Sequence, residues 1–301
     1  MTAALSLVVE AAEDVRDVFG GVGPVFHREL ATVARTPGYG VLAVGLLAVL
    51  LGILTVGGGG GTGFVPGVVD LLFPTEVLVP AIAVVLGYRA LLTDVASGEL
   101  DVIRTYPVSV VGYVSGVLFA RLLAFLAVVG VPFALVGGYV WLTASPDTGI
   151  YATHAGIDSP LLYVRFLAFV TLLGAAYLSI AVVVSAVVSS RRSAVALGTL
   201  LLVGGVLGGD LALLRSLDAG TSAASIPSLL ALTPNGAFRG LVFEYVIGVA
   251  FAPDGGFVDT GRALGTLVGW IVVSTVGSAG ILTYGRRLDT LLEGARVRFL
   301  E

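Results

Sequence analysis

The side chains that could do chemistry form an unusual set. All 16 basic residues are arginine, cysteine is absent, and the histidines are His27 and His154 alone. A phosphate-binding loop of the G-x-x-x-x-G-K-[ST] type needs a lysine to reach the β/γ-phosphates. The chain has none, so it is not its own P-loop ATPase. Disulfides, thiolate metal sites and cysteine nucleophiles are excluded too. No Gly-x-Ser-x-Gly elbow occurs, and no Ser/His pair or His–Glu motif falls inside an apolar stretch. No basic patch exceeds two adjacent arginines, which argues against nucleic acid as a partner. The expectation is a chain that is not an enzyme and holds no cofactor or metal of its own. Ionisable residues within apolar segments are the usual pointers to transport. Here they are Glu76, Arg121 and Asp210. All three read as lying near the ends of apolar segments, in the headgroup layer, with Asp210 beside Arg215. Nothing resembles a proton relay, which argues against a secondary transporter.

The elements that must position these residues follow from hydropathy. The chain has 301 residues, 57% hydrophobic and 12% charged, with a mean hydropathy of +1.03. A soluble domain carries about 25% charge, so the composition belongs to the bilayer. The run from Gly38 to Val56 has no charge and would give ~28 Å of helix at ~1.5 Å per residue. Gly57 to Gly63 reads as a flexible loop after it. A second span is expected over 75–93, including Pro80. A third apolar region, 110–141, is divided by Arg121; its part after Arg121 is long enough to cross, with a kink expected at Pro132. Arg121 itself would snorkel to headgroups or bond within the bundle. A polar loop over 143–160 carries Asp147, His154 and Asp158. Further spans are expected over 161–188, 194–214 and 263–284. The apolar pieces 226–232 and 238–252 are too short to cross and fit re-entrant or interfacial helices.

Arginine placement gives an orientation. With the N-terminus in the cytosol and six spans, Arg16, Arg28, Arg35, Arg89, Arg104, Arg191, Arg192, Arg286, Arg287, Arg296 and Arg298 fall inside, with Arg121 near that side. Arg165, Arg215, Arg239 and Arg262 fall outside. Both termini are therefore expected in the cytoplasm. Residues 1–37 read as a cytosolic lead-in and interfacial helix, 94–110 as a cytoplasmic loop, 215–262 as an outer re-entrant segment and 285–301 as a cytosolic tail. The two histidines then lie on opposite sides of the membrane and share no metal.

Two inner segments have a helical stripe. In 24–36, Phe26, Leu30 and Val33 fall at i, i+4, i+7, with His27, Arg28, Glu29 and Arg35 off the stripe. This fits a helix lying in the membrane interface, or a surface helix packed on a neighbour. In the inner loop Ala96, Leu100 and Ile103 repeat the spacing. Asp94, Glu99, Asp101 and Arg104 lie elsewhere on that helix, and Pro107 stops it. Such a helix suits a groove on a cytosolic partner; a solvated connector has the same pattern.

Several short motifs resemble the ABC-2 type of ABC transporter permease, in particular the group that includes the membrane subunit of the nitrous-oxide-reductase maturation transporter. They are Phe26-His27-Arg28-Glu29-Leu30, then Gly98-Glu99-Leu100 with Pro107-Val108-Ser109 and Gly116, then Leu232-Thr233-Pro234-Asn235 with Phe238-Arg239. Val110 and Val117 stand where the group often has Arg and Lys; Arg121 is placed one turn on from Val117. The resemblance implies an all-α, polytopic single permease domain: six transmembrane helices, an N-terminal interfacial helix, a cytoplasmic coupling helix, and re-entrant outer helices before the last span. It implies a plasma-membrane subunit paired with a second permease copy or a paralogue. Separate ABC ATP-binding subunits would hold ATP and Mg and push on Asp94, Ala96, Glu99, Leu100, Asp101, Ile103, Arg104 and Pro107. A scaffold or maturation factor passing ATPase motion to an outer partner, or a secondary transporter, are the alternatives.

Overall fold

Long uncharged runs leave the backbone one way to satisfy its own N–H and C=O groups without water, which is the helix. In the computed structural model all described regular structure is helical. Residues 21–103, 105–144, 158–220, 222, 225–250 and 256–300 are described, with side chains to 284 and without that of Ala250. Residues 1–20 of the expected lead-in and interfacial segment 1–37, Arg104, and Asp147 and His154 of the polar loop lie outside the described residues.

The helices are α1 (Val22–Ala34), α2 (Pro37–Gly57), α3 (Phe64–Gly87), α4 (Leu92–Ser97), α5 (Glu99–Ile103), α6 (Val110–Thr143), α7 (Pro160–Val187), α8 (Arg191–Asp218), α9 (Ile226–Leu230), α10 (Pro234–Val242) and α11 (Thr260–Leu300). Six of them, α2, α3, α6, α7, α8 and α11, are long and apolar enough to cross a membrane. The end carrying α1, α4 and α5 is the one that arginine placement assigns to the cytosol, and is called the inner end below.

The core is built by α3, α6 and α7. Of the most apolar stretch of α7, 56% is buried in the protein, against 6% for α8. Phe125, Phe133, Phe166 and Phe238 are fully enclosed. Phe166 of α7 is the hub: its ring lies 5.9 Å from Phe133, 5.8 Å from Tyr163 and 6.2 Å from Phe238. The Tyr163 hydroxyl donates to the Phe133 carbonyl at 2.8 Å, so the one polar atom in this cluster is satisfied.

Two expectations change. The second span begins at Phe64, not near residue 75, and runs through Pro74 and Pro80. Asp158 makes that start possible, because its carboxylate accepts the N–H groups of Phe64 at 2.7 Å and Val65 at 3.0 Å, two of the unpaired donors of a helix N-terminus. The glycine run is likewise not a flexible loop. Gly59–Gly61 forms a 3-10 turn, Gly59 and Gly60 are buried, and the Gly59 N–H donates to Asp70 at 2.8 Å. In α6 the irregularity lies at Leu126–Gly130, a wide π turn ahead of Pro132. Pro132 has no N–H for the Val128 carbonyl, and a wide turn at that place absorbs the break.

Gly174 sets how closely α7 approaches α6. A Cβ there would lie 1.9 Å from Cζ of Phe125. Gly174→Ala is expected to overpack this contact, destabilise the protein by ~1–3 kcal/mol, and lower the midpoint of thermal unfolding in detergent. An unchanged midpoint would show that the helices are free to separate there.

Candidate functional site

Two polar assemblies stand out in this apolar protein, one at the inner end of the bundle and one, called the outer assembly below, deeper along α3 around the helix that follows the outer connection.

The inner assembly begins with α1. Its buried face is Val25, Glu29 and Val33, so the stripe that meets the protein is displaced from the expected Phe26–Leu30–Val33. Phe26 and Leu30 are half-buried beside it. The displacement puts a carboxylate inward. Glu29 accepts from Arg121 of α6 at 3.0 Å, and Arg121 also donates to the Tyr39 hydroxyl of α2 at 2.9 Å. The close approach of α1 to α6 falls at Gly116, where a Cβ would stand 2.9 Å from both the Val22 carbonyl oxygen and Val25 Cβ.

Arg28 faces the connection between α3 and α6. It binds Asp94, Glu99 at 2.5 Å and Glu29 at 2.9 Å. Asp94 is buried and accepts a second hydrogen bond, from the Tyr113 hydroxyl of α6 at 2.7 Å. Burial pulls the Arg28 guanidinium toward deprotonation. The hydrogen bond to Asp94 and the charges of Asp94, Glu29 and Glu99 outweigh it, so its pKa is raised and it stays a cation.

The connection is not one amphipathic helix. It breaks at Gly98, whose φ of +75° is a left-handed conformation that favours glycine. The i, i+4, i+7 stripe therefore never forms. Leu100 is buried, Ile103 half-buried and Ala96 exposed. Asp94 points inward, while Glu99, Asp101 and Pro107 are exposed. The outward surface includes two residues the sequence reading passed over, Val102 at 58% and Tyr106 at 63% exposure. Large apolar side chains flanked by acids, on a loop held down from behind, form a surface suited to a partner.

The outer assembly centres on α10, which is buried almost throughout. Thr233 caps it, accepting from the Gly236 N–H at 3.1 Å. Pro234 occupies its first turn, and Phe238 anchors it to Phe166. Arg239 reaches both oxygens of Glu76 on α3, at 2.7 Å from Nε to Oε1, and both oxygens of Asp210 on α8, at 2.9 and 3.0 Å. Asn235 donates to the backbone carbonyl of Glu76 at 3.0 Å and accepts from the Tyr177 hydroxyl of α7 at 2.7 Å. That carbonyl is available because Pro80, four residues on, has no N–H to bond it. Glu76 lies roughly three turns, ~18 Å, into α3, and its side chain is 3% exposed. It is not a headgroup carboxylate at a span end. Asp210 pairs with Arg239 and not with Arg215. Its side chain is 41% exposed.

The residues picked from sequence thus fall into two places. Arg28, Glu29, Asp94 and Glu99 share the inner assembly, and Asn235 and Arg239 share the outer one. Tyr113 and Tyr177 went unnoticed. The Glu76–Pro80 spacing, an acid four residues before a proline inside an apolar run, is the one sequence signal that could have flagged the outer assembly. Among the described residues no group of three or more His, Asp or Glu forms a metal site.

A family model described as ABC-2 family transporter protein matches residues 5–287. The chain belongs to that family. No curated protein matches it.

Arg239→Leu is expected to strand the buried Glu76 carboxylate, costing ~3–5 kcal/mol. Glu76→Gln in the same chain should recover more than half. Asp210→Asn, at the exposed arm, should cost no more than ~1 kcal/mol. A double-mutant cycle by thermal unfolding measures all three; additive losses at residues 76 and 239 would contradict the pairing.

Proposed function

We propose that this ABC-2 family membrane protein is the permease subunit of an ATP-driven transporter in the plasma membrane, with both termini in the cytoplasm. Separate ATP-binding subunits would bind ATP and Mg and dock on the 92–109 connection. The observation that carries this reading is the fastening of that connection. Arg28 and Tyr113 hold Asp94 from two directions, and Glu29, Arg121 and Tyr39 extend the same network to α2. A push on Val102 and Tyr106 would reach α1, α6 and α2 as one body instead of dissipating in a loose loop.

The outer assembly supports the other half of the cycle. Glu76–Arg239 is buried and fixed, whereas Asp210–Arg239 is the half-exposed arm. A half-exposed ion pair is weak, so α8 is the span most easily released from the rest. Its exposed apolar residues include Leu200, Val203, Leu207, Leu211 and Leu214. We assign this sparsely covered span to the meeting with a second permease copy or a paralogue, with the transport path between the two. On this reading α9 and α10 enter the bilayer from the outer side and return.

Docking is tested by co-purification with the co-expressed ATP-binding subunit. Val102→Asp and Tyr106→Ala should each weaken association by roughly tenfold or more, as for central interface residues, while Thr55→Ala, near the far end of α2, should leave it unchanged. Retained association in the Val102→Asp, Tyr106→Ala double variant would sink the docking surface. Orientation is tested separately, because a chain without cysteine accepts single reporters. Thr93→Cys should react with a membrane-impermeant maleimide in inverted vesicles only, and Gly61→Cys in intact cells only. The opposite pattern would reverse the topology.

A further inference from the structure

A cavity of about 150 Å³ lies between α3, α7, α8 and α11, lined by Val84, Tyr88, Tyr177, Gly198, Gly205 and Trp270 among others. An apolar space of this size stays dry and takes up a hydrocarbon group. It is open on one side, and Trp270 is 42% exposed. Its wall on α8 combines Leu200 and Leu201 with Gly198, Gly204 and Gly205, and the three glycines leave the space between the helices open.

The inner mouth of this cleft is basic. Arg89 follows Tyr88 directly, and Arg191 and Arg192 open α8 about two turns before Gly198. All three arginines are exposed, and none forms an ion pair with a described residue. By contrast Arg28 holds three carboxylates and Arg121 holds Glu29. Ser190 caps α8 by accepting the Ser193 N–H, which leaves the backbone N–H groups of Arg191 and Arg192 at the same place.

We propose that this cleft is a binding site for one anionic phospholipid of the inner leaflet. An acyl chain fills the space between Val84, Tyr177 and Trp270, and the phosphate headgroup lies among Arg89, Arg191 and Arg192. The depth fits: the cavity extends along α8 from about two to about four turns beyond Arg191, below the headgroup layer and within the chain region. A free phosphate would satisfy the arginines and leave the apolar cleft empty, and a neutral lipid would fill the cleft and leave the arginines bare. The anionic lipid satisfies both. Such a lipid would wedge between α8 and the core, at the span with the least cover of its own.

The tryptophans are Trp141 and Trp270. Trp141→Phe leaves Trp270 as the sole reporter, inside the proposed site. The full-length variant, in vesicles of phosphatidylcholine, is titrated with brominated phosphatidylglycerol or brominated phosphatidylcholine, and quenching of Trp270 is measured. The expected result is a preference for the anionic lipid of at least about fivefold. Changing Arg89, Arg191 and Arg192 together to Gln should remove the preference while leaving quenching by the neutral lipid as it was. Gly204→Leu, where a Cβ meets nothing within 4 Å, should fill the cleft and reduce quenching by both lipids. Circular dichroism and size exclusion confirm that each variant is folded. Equal quenching by the two lipids in the Trp141→Phe protein, or a preference that survives the triple substitution, would overturn the site.

Discussion

The fold depends on how one buried carboxylate is satisfied. Glu76 brings a negative side chain and, through Pro80, an unbonded backbone carbonyl to the same depth of α3. Leaving either bare in an apolar interior costs several kcal/mol. Both are answered by α10, the side chain by Arg239 and the carbonyl by Asn235, four residues apart and hence on one face of the helix. That need explains why a nine-residue helix is buried so completely. It also explains why Thr233 and Pro234 must start it cleanly, since a shift of one residue would turn Asn235 and Arg239 away from α3 together. Phe238, three residues after Asn235 and beside that face, then anchors the helix in the aromatic cluster.

The inner end solves a different problem with similar parts. There the pairing of two buried carboxylates, Glu29 and Asp94, joins elements that are separately short of cover. Helix α1 and the α4–α5 connection are too small to bury much apolar surface. Five-residue and six-residue helices have little stability of their own. Arg28 binds three carboxylates from two segments, and Asp94 in turn is held by Tyr113. The outcome is a connection fastened to the protein through Asp94 and Leu100, with Val102 and Tyr106 left outward among Glu99 and Asp101.

Much of the layout was readable from hydropathy, because a long uncharged run has one structural solution. The six spans lie close to where the apolar runs put them, and the short pieces after residue 215 are indeed short helices. The misplacements have physical causes. Residues 64–74 lie outside the expected second span because they follow seven residues that include six glycines and contain two prolines, yet Asp158, remote in sequence, caps their helix. The stripe Ala96–Leu100–Ile103 assumed an unbroken helix, and Gly98 breaks it. Periodicity for α1 found the residues at its flank and missed Glu29, because an apolar scale does not expect an acid to face the core. Glu76 and Asp210 were read from their distance to apparent span ends. Their partner, Arg239, comes from a segment that could not be placed by pattern alone.

The pairing of Glu76 with Arg239 also constrains how the protein is made. The two residues lie 163 positions apart. At a synthesis rate of about 5–20 residues per second, roughly 8 to 30 seconds pass between the emergence of the acid and that of its cation. Through that interval α3 exists without the group that lets it rest at depth, and Pro80 leaves it with an open carbonyl as well. The second span is therefore among the first segments delivered to the membrane and among the last to reach its final position, and biogenesis ends only when the last third of the chain arrives to close over it.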